Sequence, residues 1–155
     1  KAAHQNKVKR VVITSSVAAI YKAREGQTDF GPADWSDPKI CMAYEKSKTL
    51  AEKAAWDFQE SLPVWERFEL ATVNPSFVLG PNFNTCNFSS GDIVKQIMTG
   101  QIPAAPHINF PMVDVRDVAN AHLQAILVPE AAGQRFILSE NGHWFVDIGI
   151  WLHEK

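Results

Sequence analysis

The stretch that decides the fold is residues 42–62, MAYEKSKTLAEKAAWDFQESL, the strongest helix signal in the chain. It is rich in Ala, Glu, Lys and Leu, lacks Gly and Pro, and is followed by Pro63, which cannot continue a helix. Small and apolar residues recur in it at helical spacing, and we expect them to form one narrow face that packs on a sheet. These residues are Ala51, Ala54, Ala55, Phe58 and Leu62.

Two apolar runs on either side of this helix have the character of buried strands. Residues 8–14 read VKRVVIT and residues 68–74 read FELATVN. Both are short and rich in β-branched residues without regular alternation, which is typical of strands buried on both faces in a parallel sheet. Residues 15–41 are predicted to form a long loop, and residues 74–81, with two prolines and Gly80, a turn.

The C-terminal half of the chain continues the alternation of strands and helices. The sequence predicts five elements there: a helix over 92–99 after Ser90, an extended piece over 112–115, a helix capped by Asp114 and ending near 127, a strand over 135–138, and an amphipathic helix over 145–152. This order indicates an α/β fold with a parallel sheet.

Composition excludes several classes of function. The 155 residues include 15 Lys and Arg against 17 Asp and Glu, a net charge of -2 that gives no electrostatic footprint for nucleic acid or an anionic membrane. The 5 histidines are scattered without metal-ligand spacing, so no metal site is predicted. Cys41 and Cys86 are interpreted as reduced thiols, which favours a cytoplasmic protein.

Tyr44 and Lys48 are the first candidates for chemistry. Four residues apart in a helix, their Cβ atoms are expected about 5–6 Å from each other. An ammonium near a phenol favours the ionised form, so such a tyrosine can act as a general acid or base near neutral pH. Ser16 follows the first strand, at the sheet edge where ligands bind in open α/β folds, and is a candidate donor to a substrate oxygen. Pro75 ends the next strand at the same edge.

Five blocks of sequence resemble the extended short-chain dehydrogenase/reductases, and within them the dihydroflavonol-4-reductase-like branch, especially the fungal NADPH-dependent methylglyoxal and aldehyde reductases. The blocks are VVITSSVAAIY (11–21), AYEKSKTLAEKAAWDF (43–58), FELATVNPSFVLGP (68–81), VDVRDVANAHLQAI (113–126) and GQRFILSE (133–140). Five ordered blocks are far more specific than the Tyr-x-x-x-Lys spacing alone, which also fits a surface tyrosine beside a solvated lysine.

The resemblance implies a role for each matching residue. Tyr44 protonates the substrate carbonyl, Lys48 tunes Tyr44 and binds the nicotinamide ribose, and Ser16 hydrogen-bonds the carbonyl. Pro75, the backbone of Val78 and Ser90 match cofactor-contacting positions, while Val17 and Phe77 match positions that line the substrate pocket. Alternatives stay open for the second group: Pro75 as a strand terminator, Ser90 as a helix cap, and Val17 and Phe77 as ordinary packing residues.

The resemblance also implies an architecture. It makes residues 1–155 the C-terminal part of a doubly wound Rossmann-type parallel sheet, of the NAD-dependent epimerase/dehydratase type, with elements of a small substrate domain within about 76–115 and 135–155. No two glycines fit the G-x-G-x-x-G turn that holds a dinucleotide pyrophosphate. The resemblance therefore implies that the N-terminal cofactor-binding half is missing, and we expect these residues alone to bind dinucleotide poorly.

The function implied is reduction of an aldehyde or ketone by NADPH, rather than NADH, in the cytoplasm. The partner expected is a small carbonyl substrate, with neither nucleic acid nor membrane. Two alternatives remain: another chemistry of the same superfamily, such as epimerase/dehydratase or hydroxysteroid dehydrogenase activity, and a truncated remnant without catalysis.

Overall fold

The computed structural model describes residues 1–22, 26–83, 89–102, 104 and 106–154, apart from the side chain of Ser89. Cys86, one of the two thiols named above, lies outside these residues. The helices are α1 (Ala2–Gln5), α2 (Ala43–Ser61), α3 (Ser89–Met98), α4 (Val115–Leu127) and α5 (Phe145–His153). The strands are β1 (Arg10–Thr14), β2 (Glu69–Pro75), β3 (Phe77–Leu79), β4 (Asn109–Asp114), β5 (Arg135–Leu138) and β6 (Gly142–Trp144).

The first sheet is parallel and has the order β1-β2-β5. The β1 register pairs Thr14 with Val73, so the two strands end at the same edge. This confirms the parallel α/β prediction and the strands expected over 8–14, 68–74 and 135–138. β2 is buried along most of its length because it lies between the two other strands.

Alternate residues of β2 point to opposite faces of this sheet, and each face is covered by a helix. Ala71 and Val73 join Ala125 of α4 in the main apolar cluster. Thr72 and Asn74 point the other way and bond to Glu52 of α2. The sheet therefore carries helices on both faces, as a doubly wound fold requires.

The expectation for the buried face of α2 is wrong. Ala51 and Ala54 are exposed, and Phe58 is only half-buried. The residues that α2 buries are Glu45, Thr49 and Glu52. A polar face can enter the protein interior here because the sheet supplies hydrogen-bond donors that satisfy it, a condition that apolar periodicity does not detect.

The turn predicted over 74–81 is also wrong in part, because Phe77–Leu79 forms β3. This strand pairs in parallel with β4, which pairs antiparallel with β6, so a second three-stranded sheet has the order β3-β4-β6. Only three residues of β3 carry the strand signal, and Pro75 and Pro81 flank them, which explains the error. α3 packs on β3, and α5 packs on α3 and β6.

Of the remaining helices, α4 and α5 agree with the sequence expectations, α3 begins at Ser89 instead of residue 92, and the sequence analysis does not predict α1. Asp114 caps α4 by accepting a hydrogen bond from the backbone N–H of Arg116 at 2.7 Å. The Arg116 guanidinium, which also bonds this carboxylate, holds the pKa of Asp114 at about 2. Within the described ranges, no helix has the length and hydrophobicity needed to cross a membrane.

Candidate active site

Ser16 lies where β1 ends and is itself buried. It is the N-cap of a short 3-10 turn, Val17–Ala19, and its Oγ accepts a hydrogen bond from the Ala18 N–H at 3.1 Å. Among the residues that the structure describes, no acceptor is found for the hydroxyl hydrogen of Ser16. The chain thus orients the hydroxyl through its lone pair, and the hydroxyl hydrogen is not used in that bond.

Tyr44 and Lys48 occupy the first two turns of α2, which confirms the predicted helix around them. Tyr44 is 62 % exposed, and Lys48 is half-buried. Within the described ranges the Lys48 ammonium has neither a hydrogen-bond acceptor nor an ion-pair partner. Both side chains are therefore available to a bound molecule.

The N-terminus of α2 is tied to the segment that follows Ser16. α2 packs against the turn Val17–Ala19. Tyr21, just beyond that turn, donates its hydroxyl hydrogen to Oε1 of Glu45 at 2.7 Å, while Oε2 accepts from the Met42 N–H. Burial, together with the Glu45 carboxylate, raises the pKa of Tyr21. Tyr21 thus stays a donor, and Glu45 fixes the start of the helix that carries Tyr44.

The other predicted cofactor-side residues, Pro75, Val78 and Ser90, belong to the first sheet, the second sheet and α3, respectively. Pro75 is the buried last residue of β2 and pairs with Leu138. Val78 is the middle residue of β3, and its carbonyl accepts a hydrogen bond from Ser90 Oγ at 2.7 Å. Ser90 therefore lies inside α3, and its hydroxyl joins this helix to β3. The alternative interpretation of Ser90 as a helix cap is wrong.

The two predicted substrate-side residues occupy different surroundings. Val17 opens the 3-10 turn next to Ser16 and is half-buried. Phe77 belongs to the second sheet, where its ring lies 5.3 Å from that of Phe110, centroid to centroid. Phe77 also lines a small apolar cavity with Ile93 of α3 and Phe145 of α5. Val17 thus lies beside Ser16, whereas Phe77 is packed within the second sheet.

A buried polar cluster behind these residues escaped the sequence analysis. Its centre is Glu52 of α2, whose side chain is 0 % exposed and forms an ion pair with Arg135 at 2.6 Å. Burial opposes ionisation of this carboxyl, but the hydrogen bonds from Arg135 and Ser15 outweigh it and hold the pKa of Glu52 below its ordinary value. A usable signal was present: Glu52 follows Tyr44 and Lys48 at i+8 and i+4, and Thr72 and Asn74 alternate in an otherwise apolar strand.

The donor set suits an uncharged oxygen ligand better than a metal. A phenol, an ammonium and a hydroxyl all supply hydrogen-bond donors, as a carbonyl oxygen or a sugar hydroxyl requires. Across the part of the chain that the structure describes, no group of three or more His, Cys, Asp or Glu side chains is arranged to hold a metal ion.

Comparisons with known proteins show which sequences and structures the chain as a whole resembles. The chain is 39 % identical over 159 residues to the NADPH-dependent methylglyoxal reductase GRE2 of Saccharomyces cerevisiae, with 91 % of this chain and 46 % of that protein covered. It is 37 % identical over 147 residues to cinnamoyl-CoA reductase 1 of Arabidopsis thaliana, covering 90 % of this chain and 41 % of the relative. The chain is a homologue of these carbonyl reductases. The resemblance to the short-chain dehydrogenase/reductases is thereby confirmed.

The solved structures agree with the sequence relatives. Gre2 of Candida albicans, solved in complex with NADPH, matches with a TM-score of 0.79 and 33 % identity over 94 % of this chain and 49 % of that chain. This confirms the Rossmann-type α/β class. The chain spans about half the length of the curated relatives it matches. No protein-family model matches it.

Proposed function

We propose that these residues form the catalytic part of an NADPH-dependent reductase of aldehydes or ketones. One observation carries the proposal: the oriented hydroxyl of Ser16 lies in a turn that packs against the helix presenting Tyr44 and Lys48. The names of the relatives support it, since GRE2 is an NADPH-dependent methylglyoxal reductase and another relative, from Aspergillus niger, is a ketoreductase.

Each of the three residues has a separate task in this proposal. The Ser16 hydroxyl donates a hydrogen bond to the substrate carbonyl oxygen and polarises it. The Tyr44 hydroxyl transfers its proton to that oxygen as negative charge develops there. The Lys48 ammonium stabilises the phenolate that remains and donates to sugar hydroxyls of the cofactor.

The residues present fit the nicotinamide end of a dinucleotide. NADPH, when bound, supplies the hydride that the carbonyl carbon receives. Pro75 and the backbone of Val78 are proposed to contact the nicotinamide end. Ser90 already donates its hydrogen to the Val78 carbonyl, so toward a cofactor it offers only an acceptor lone pair. The sequence has no glycine-rich turn for the pyrophosphate, so the fit covers only this end.

The two sheets support the proposed domain organisation in part, because β5 lies within 135–155 but belongs to the first sheet. The sheet β1-β2-β5 with α2 and α4 corresponds to the later strands of a Rossmann-type domain. The sheet β3-β4-β6, with α3 and α5, falls within 76–115 and 135–155, the ranges proposed for the substrate-domain elements. In this scheme Val17 faces the substrate, a small carbonyl compound, whereas Phe77 packs against Phe110 within the second sheet. The free thiol Cys41 suits a cytoplasmic enzyme.

Tyr44→Phe tests the proposal in the intact protein that contains these residues. The variant keeps the ring and removes the proton, so we expect kcat for aldehyde reduction, followed by loss of NADPH absorbance, to fall about 10²-fold or more. NADPH affinity, measured by calorimetry, should stay nearly unchanged. Tyr21→Phe is the matched control because these are the 2 tyrosines of the chain; it should retain turnover. Wild-type turnover by Tyr44→Phe would refute the role of Tyr44, and turnover of UDP-sugars instead of aldehydes would favour an epimerase.

A further inference from the structure

Glu52 is a carboxylate in a place where a charge is costly. Glu52 is 1 % exposed and lies in the middle of α2, against the centre of the parallel sheet. Removing an ionised carboxylate from water is unfavourable unless hydrogen bonds and an opposite charge satisfy it. The structure supplies both: besides Trp56 of α2 itself, the donors come from three other segments, which are the end of β1, β2 and β5.

The donors to Glu52 surround both carboxylate oxygens. Oε2 accepts from Ser15 Oγ at 2.5 Å and from Asn74 Nδ2 at 2.8 Å. Oε1 accepts from Arg135 Nε at 2.6 Å and from Thr72 Oγ1 at 3.0 Å. Through this carboxylate, α2 is bonded to the end of β1, the end of β2 and the start of β5.

The contacts on Oε2 are the ones that reach the candidate active site. Ser15 precedes Ser16 directly, and the same Asn74 amide that bonds Glu52 also donates to the backbone carbonyl of Ser16 at 3.2 Å. The backbone on both sides of Ser16 is therefore held by groups that converge on Glu52. Glu52 itself belongs to the helix that presents Tyr44 and Lys48, which lie about two turns and about one turn ahead of it, respectively.

We infer that Glu52 is a positioning residue, which holds the Ser16 hydroxyl at a fixed place relative to Tyr44 and Lys48. This inference rests on the proposed function and adds to it a residue that does not touch substrate or cofactor. Hydrogen bonds of 2.5–2.8 Å constrain direction as well as distance, whereas apolar packing at position 52 would constrain mainly the depth of the helix. Stability alone gives little reason for a charge here, since well-packed apolar replacements of buried ion pairs are often as stable.

Arg135 extends the same linkage to the loop that follows the 3-10 turn. Its Nη1 donates hydrogen bonds to the backbone carbonyls of Pro32 and Asp34, both at 2.6 Å. Its guanidinium lies 3.7 Å from the ring centroid of Trp35. Glu52 therefore holds Arg135, and Arg135 holds residues 32–35.

Amide hydrogen exchange tests the inference without any need for catalysis. In Glu52→Gln, we expect the amides of Ala18 and Ala19, which bond Ser16 Oγ and the Ser16 carbonyl, to exchange about tenfold faster or more, relative to that of Val12 in β1. Glu60→Gln, the same substitution at an exposed site of α2, should leave all three rates unchanged. A purely structural role for Glu52 would accelerate all three rates by the same factor and would refute the inference.

A second variant guards against unfolding of the first. Ser15→Ala removes one donor to Glu52 and leaves the ion pair with Arg135 intact. It should accelerate exchange at Ala18 and Ala19 in the same selective way, by a smaller factor. Unchanged rates at these amides in a folded Ser15→Ala protein would also contradict the inference.

Kinetics of the intact enzyme separate this inference from the proposed function. Misplacement of a reacting group by about 1 Å can cost about 10²-fold, so Glu52→Gln should lower kcat per folded site by about 10- to 100-fold. The KM for NADPH should change little, and the isotope effect with NADPH deuterated at the transferred position should increase. If Tyr44→Phe is inactive while Glu52→Gln keeps the wild-type kcat and isotope effect, the positioning role is wrong and the proposed function stands. If Tyr44→Phe keeps its turnover, the proposed function fails, and the exchange rates alone decide whether Glu52 holds Ser16.

Discussion

Removal of Arg135 should reverse the pH dependence that Glu52 gives to folding. In the wild-type protein the pKa of Glu52 is lowered, so its stabilising contribution is fully present above the unfolded value, about 4.3, and is lost as the pH falls through the folded pKa. In Arg135→Leu the buried carboxylate loses its counter-charge, and burial then raises its pKa above the unfolded value. In this variant, protonated Glu52 contributes stability at low pH, and that contribution is lost as the pH rises through the folded-state pKa.

The magnitude follows from the burial of the pair. The Arg135 and Glu52 side chains are 8 % and 0 % exposed, and removal of one partner of such a pair costs about 3–5 kcal/mol. Bonds from Ser15 and Asn74 remain to the carboxylate, so we expect the lower end of this range near pH 8. Protonation of Glu52 near pH 5 should recover part of the loss, by at most about 1.4 kcal/mol for each pH unit between the two pKa values.

The assay is urea unfolding of the wild type and Arg135→Leu at pH 5 and pH 8. The difference in free energy of unfolding between the two proteins removes the titration of groups common to both, including the histidines. Loss of the Arg135 bonds to the Pro32 and Asp34 carbonyls adds a cost that does not change with pH. A difference that is equal at the two pH values, or larger at pH 5, would refute the reasoning. Arg116→Leu, the same change in a guanidinium whose side chain is 73 % exposed, is the control and should alter stability far less.

Two further predictions concern the surroundings of the site. Gly80 has φ +139°, and a Cβ there would lie 2.8 Å from Val115 Cγ1. Gly80→Ala should therefore lower the unfolding temperature, because backbone strain of this kind costs about 1–3 kcal/mol. Gly100→Ala, at φ +66° with open space around the added Cβ, should cost less. Tyr21 should ionise at a higher pH than an ordinary tyrosine because burial and Glu45 raise its pKa. Tyr21→Phe should therefore remove a transition at high pH from the ultraviolet absorbance titration of the wild type, and an unchanged high-pH part of the curve would contradict the assignment.

Local signals in the sequence predict most elements of the first sheet. The runs around Val12 and Val73 become the parallel strands β1 and β2, and the Ala-rich stretch becomes α2 within one residue at each end. These elements are long or strongly patterned, so their neighbours in the chain are enough to define them. The strands β3 and β6 have three residues each, and only pairing with β4 makes them strands, so no local pattern reveals them.

The candidate site divides along the same line. The spacing of Tyr44 and Lys48 on one helix meets a chemical requirement but also fits a surface pair, and the resemblance of the five sequence blocks singles it out. Ser16 is recognisable because it follows a strand. Glu52 and Arg135 are 83 residues apart, and neither has a meaning until the fold brings them to 2.6 Å. Periodicity therefore assigned the wrong face of α2 to the interior, since it scores a buried glutamate as a surface residue.

The Glu52 carboxylate supplies a constraint that the Tyr-x-x-x-Lys motif lacks, which is the position of the serine relative to the tyrosine and the lysine. The motif fixes the phenol and the ammonium relative to each other, because both are on α2, but it says nothing about the serine, which belongs to another segment. Two hydrogen bonds to one carboxylate oxygen, from Ser15 and Asn74, fix that third member. Because Asn74 also bonds the Ser16 carbonyl, a shift of α2 by one ångström would break several short, directional bonds at once. The helix and the serine are thus held as a single unit, and the geometry of the proposed reaction depends on a buried ion pair that takes no part in the chemistry.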